Sequence, residues 1–155
     1  MRRCSPVPLT APQLRRFVKH ALVAASGQIA PDQAQLASAF DLLCERLRAR
    51  LHPLFGPTAI AALFARAVHM ATAEFAWLAD VVPKDGARCS REELSRVSGA
   101  IARETLEEGL AAVLAHEIGL LGAFIGEDFV MPLVQEAWGS DATARTNAAH
   151  RGEHE

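Results

Sequence analysis

The residues of this chain best suited to chemistry are two polar pairs, His116-Glu117 and Glu127-Asp128, and one separate histidine, His69. His116-Glu117 starts the zinc-protease pattern H-E-x-x-H, which needs a second histidine one helical turn later. Position 120 is leucine, so the pattern fails. Glu117 and Asp128 are eleven residues apart. On a continuous helix they share a face but stand roughly 16 Å apart, too far to hold one metal or to flank one glycosidic bond. A break at Gly126 would let them approach. His69 and His116 could give two ligands to haem or a metal inside a bundle, although neither has ligand spacing. The plainer reading of His116, Glu117, Glu127 and Asp128 is the polar ends of a buried helix, because buried charge is expensive unless paired.

Other chemistries find no support. There is no G-x-S-x-G, no cysteine beside a base, no P-loop and no G-x-G-x-x-G. Cys4, Cys44 and Cys89 are scattered and odd in number, which fits reduced thiols in a cytoplasmic protein. His150 and His154 lie in a segment without pattern and would bind metal only adventitiously. No resident metal or cofactor is expected, and the residue pattern points away from an enzyme.

The element that would position these polar pairs is Leu110–Met131, LAAVLAHEIGLLGAFIGEDFVM. Ala111, Ala115, Gly119, Gly122 and Gly126 recur there at spacings of four, four, three and four. On a helix they make one stripe of small side chains, against which a neighbouring backbone can come close. From Ile118 to Gly126 the segment is apolar all round, which predicts a buried central helix. On that reading Gly122→Leu overpacks the contact. The nine apolar residues are bounded by His116-Glu117 and Glu127-Asp128, far short of the roughly 20 that span a bilayer.

The rest of the chain also reads as helix. Alanine and leucine dominate, tyrosine is absent, and β-branched residues are sparse. Thr10 is a plausible N-cap with Pro12 in the first turn, and the first helix runs to Ser26 before Gly27. Its apolar face is Leu14, Phe17, Val18, Ala21, Leu22 and Ala25. Pro31-Asp32 opens a second helix, whose Leu36, Phe40, Leu43, Leu47 and Leu51 keep a clean helical period. His52-Pro53 should end it. A third helix starts near Pro57 and ends between Leu78 and Val82. Its stripe is Ile60, Phe64, Ala67, Ala71, Phe75 and Leu78, and its many alanines suggest close contacts on more than one side. Ser90 and Glu93 fit a capping box, Gly99 interrupts, a helix follows from Ile101 to Ile125, and a short last helix ends at Trp138.

These elements predict an all-α bundle of five or six helices around the Gly/Ala-striped helix. Residues 1–9 should form an extended arm, 10–139 a single domain and 140–155 a disordered tail. MRRCSPVPLT lacks the apolar stretch of a signal peptide.

Charge is uneven along the chain. Residues 1–50 carry a net +5 and residues 101–155 a net −7. Arg46, Arg48 and Arg50 spread too widely around their helix to form a stripe for a phosphate backbone, so nucleic acid is not favoured as a partner. The polarity instead suits the two ends facing each other, within one chain or across a dimer.

The expected function is non-enzymatic. It is a cytoplasmic helical protein acting through protein–protein contacts, as a homodimer or with another protein, in a regulatory accessory role. The alternative is a small-molecule, haem or metal-binding sensor or carrier. Its pocket inside the bundle would be lined by Phe64, Phe75, Phe124, Phe129 and Met131, with His69, His116, Glu117 or Asp128 supplying polar groups.

Overall fold

The computed structural model describes residues 10–81 and 91–139. Every regular element among them is helical: α1 (Ala11–Ser26), α2 (Gln33–Thr72), a 3-10 turn (Ala76–Asp80), α3 (Arg91–Ser98), α4 (Arg103–Ile125) and α5 (127–139). The expected arm, the tail and the Ser90 cap lie outside the described residues.

Local chemistry fixes the starts of α1 and α2. Thr10 accepts from the Gln13 amide, and the Gln13 side chain accepts from the Thr10 amide, so two otherwise orphaned donors are satisfied together. Asp32 and Gln35 repeat this arrangement at the head of α2. Gly27 closes α1 in the left-handed region, at φ 78°, where a Cβ would be strained.

The second and third expected helices are one element. Helical backbone runs through Pro53 to residue 55, and only Gly56 departs from it, at φ 78° and ψ 166°. Proline lacks a donor and crowds the preceding turn. Here His52, Pro53 and Leu54 are exposed, so freed carbonyls can reach water and the break falls on the glycine instead. The far end of α2 also differs from expectation. It stops at Thr72, Phe75 turns extended, and the 3-10 turn returns Leu78 and Val81 to the core.

The core lies mainly between α2 and α4, with α1 packed on both. Leu36, Phe40, Leu43, Leu47 and Leu51 are all buried in this core. The alanine-rich arm 57–72 does not pack on several sides. Ala67 and Ala71 are buried, but Ala61 and Ala62 are exposed. Helix α5 is tied back by Trp138, whose indole N–H donates to the Leu43 carbonyl at 3.0 Å and whose ring stacks on Phe17 at 6.1 Å.

Ion pairs Lys19–Glu108 and Arg50–Glu136 join the basic first third to the acidic last third. Each is partly exposed and adds little stability by itself. Helices α2 and α4 are long and apolar enough to cross a bilayer by length and composition, and both are core helices of this bundle.

Candidate functional site

Helix α4 has two unlike halves. From Leu106 to Ile118 it is buried almost all round, including Ala111, Ala115 and Glu117. Beyond that the expected burial fails. Gly119 and Ala123 are exposed, and Phe124 is 72 % exposed. At 100° per residue, Gly119, Ala123, Leu120 and Phe124 occupy one arc of the helix. Leu121, on the opposite side, takes over the core contacts. Phe129, in the first turn of α5, is also 72 % exposed. Glu127 and Asp128 are exposed beside it.

The small-residue stripe is therefore split. Ala111 and Ala115 are packed. A Cβ at Gly119 would meet nothing within 4 Å. At Gly122 it would touch Glu127 Cγ at 3.4 Å and Val130 Cγ1 at 3.6 Å, so α5 covers that position. Gly126 makes the turn between the helices, at φ 93°. The closest approach involves a glycine outside the stripe. A Cβ at Gly109 would overlap Cζ2 of Trp77 and lie 3.2 Å from Cε2 and Cη2.

Among the described residues, cavities border these helices at three places. The first, about 320 Å³, lies over the open part of the stripe, between Leu14, Met70, Ala115, Gly119 and Leu120. Arg15 and His116 also line it. Both engage Glu74, His116 Nε2 at 3.3 Å. The Arg15 hydrogen bond, with His116 adding to it, holds the Glu74 carboxyl below its ordinary range despite some desolvation. The second, about 340 Å³, lies between α1, α2 and α5, with Phe17, Ala21, Leu43 and Trp138 as apolar walls and His20, Arg46 and Gln135 as polar ones. The third, about 260 Å³, sits in the crook of α2, between Arg48 and the side chains of Pro57, Ile60, Ala61 and Phe64.

Glu117 is buried, at 4 % exposure, in the middle of α4 and not at its end. Burial pushes its carboxyl up to about 7, and the charge of Arg48 opposes that shift without cancelling it.

The expected ligand pocket is not assembled. His69 is exposed on α2, Phe64 is core, Phe75 and Met131 are half-buried, and Phe124 and Phe129 face outward. His116 is bound to Glu74. Asp128 lies past the Gly126 turn, exposed, while Glu117 is buried. Among the described residues no cluster of three His, Cys, Asp or Glu could hold a metal. The residues that line the apolar cavity, Phe17, Trp138 and Arg46, were not singled out from the sequence as a site. The pattern carried one clue, since Phe17 and Ala21 share the apolar face of α1.

No family profile matches this chain, and neither the characterised proteins nor the solved structures show a significant similarity to it.

Proposed function

We propose that this chain is an interaction module whose docking surface is the outer arc of α4, Gly119, Leu120, Ala123 and Phe124, extended by Phe129. The observation that carries the reading is Gly119. It stands open on a helix whose preceding small residues are packed, and an exposed apolar patch of this kind marks a contact surface. Small side chains let a second helix come close, and the two phenylalanines supply area to remove from water.

The partner proposed is a second copy of the chain. In an antiparallel α4–α4 contact, the acidic Glu127-Asp128 end of one copy lies beside the Arg15–Glu74–His116 cluster of the other. Such a contact is two-fold and closed. Light scattering at tens of micromolar tests it: a dimer is expected, and Gly119→Arg or Phe124→Glu should yield monomer with unchanged helical content. A wild-type monomer under these conditions would refute self-association.

A second reading rests on the 340 Å³ cavity. Its walls are apolar and its polar groups are His20, Arg46 and Gln135, with no carboxylate among the described lining residues. That chemistry suits a small apolar molecule bearing a negative charge. Trp138 would report binding by a change in its fluorescence. Titration with short-chain and aromatic carboxylates that leaves the emission unchanged would count against this reading.

A further inference from the structure

The open face of α4 carries both a hollow and a projection. The hollow is the cavity of about 320 Å³ between Leu14 of α1, Met70 of α2, and Ala115, Gly119 and Leu120 of α4. The projection is Phe124, one turn beyond Leu120 and 72 % exposed. Phe124 does not line the hollow of its own copy. Its ring is left in water beside an apolar space that it does not fill.

A two-fold axis at the open glycine sets the register of an antiparallel α4 pair. Positions equally far from the axis, on opposite sides, face each other. With the axis between Gly119 and Leu120, position 124 of one copy faces position 115 of the other. Each lies about 7 Å from the axis at 1.5 Å per residue. Ala115 is a wall of the hollow. A helical side chain leans toward its own N-terminus, which here is toward the axis. Phe124 is thereby directed at the stretch from Ala115 to Gly119. The small side chains at both positions let the helix axes approach closely enough for a ring to enter.

Resting on the self-association proposed above, we propose that Phe124 of each copy inserts into the hollow between α1, α2 and α4 of the other copy. A two-fold contact requires one surface to carry both complementary parts, and this face carries them at the matching spacing. The same axis makes the two insertions identical. The hollow also favours an aromatic occupant over an aliphatic one. Arg15 lines it and is held there by Glu74, so an entering ring gains a cationic neighbour.

Sedimentation of the intact chain and two variants across the micromolar range tests the insertion. Phe124→Ala removes the projection, and Ala115→Leu fills the hollow. Each alone should self-associate at least about tenfold more weakly than the wild type, the loss expected of a buried aromatic anchor. Mixed in equal amounts, the two should associate more tightly than either alone. In the mixed pair the open hollow of the Phe124→Ala copy receives Phe124 of the filled copy. Ala11→Trp, at the exposed rim of the hollow, takes the place of Ala115→Leu if that variant loses helical circular dichroism. Wild-type affinity in Phe124→Ala would overturn the insertion. Wild-type affinity in the filled variant would overturn it too, and would assign the hollow to another occupant. A mixture no tighter than its parts would have the same force. In all three cases the dimer through α4 stands, whereas a wild-type monomer would remove dimer and insertion together.

Discussion

Trp77 fills the space that a side chain at Gly109 would need. A Cβ there would overlap the indole Cζ2, with two more ring atoms at 3.2 Å. The 3-10 turn is thereby seated on α4, and its Leu78 and Val81 enter the core. The indole N–H of Trp77 is buried without an acceptor among the described residues, so shape holds the ring here.

Gly109→Ala should therefore destabilise the fold by about 1–3 kcal/mol through overpacking. This runs against the gain of about 1 kcal/mol that alanine normally brings to a helix interior. Chemical denaturation of the two proteins measures the difference, and an unchanged midpoint would show that Trp77 can move aside.

Gly119→Ala should have the opposite sign. The position is open, so the propensity gain of about 0.5–1 kcal/mol is realised in the monomer. The added methyl should at the same time weaken association through the α4 arc. Denaturation at low concentration and light scattering at high concentration separate the two effects.

Gly122→Leu should overpack as the stripe implies, but against α5. Alanine there would make ordinary contact with Glu127 and Val130. Leucine must push α5 away, at roughly 1–3 kcal/mol, and the Phe17–Trp138 stack should loosen with it. A reduced near-ultraviolet circular dichroism signal from the tryptophans would report the displacement.

Stability should fall as pH rises from about 4.5 to about 7. Glu117 has a folded-state value of about 7 against an ordinary 4.5. The folded chain thus holds a proton that the unfolded chain has released between these values. Its contribution is whole below about pH 4.5 and gone above about pH 7, roughly 3 kcal/mol in all before relaxation of the site. Unfolding free energies across pH 4.5–8 should show this slope in the wild type and lose it in Glu117→Gln.

Much of the fold was legible in the sequence because its signals are local. The Thr10–Gln13 cap, the Gly27 stop, the period of Leu36 to Leu51 and the Gly126 break depend on neighbours within a few residues, and each is where that chemistry requires. What was misread depends on distant neighbours. Pro53 has the local marks of a terminator, but its surroundings are exposed and the chain bends at Gly56 instead. The apolar run after Ile118 implies burial, yet hydrophobicity alone does not say whether a partner helix of the same chain arrives. Gly109 carries no mark in its own segment that Trp77, 32 positions earlier, will rest on it. Glu117 was singled out, but as the polar end of a helix. Its burial in mid-helix follows from the packing of α4 among other helices, which its own segment does not reveal.

The central question is whether the open arc of α4 is a contact surface between copies. Light scattering of the wild type and Gly119→Arg, side by side at tens of micromolar, is the most direct measurement. It should give a mass near twice 16.7 kDa for the wild type and the single-chain mass for the variant, with matching helical circular dichroism. Equal masses for two well-folded proteins would contradict it.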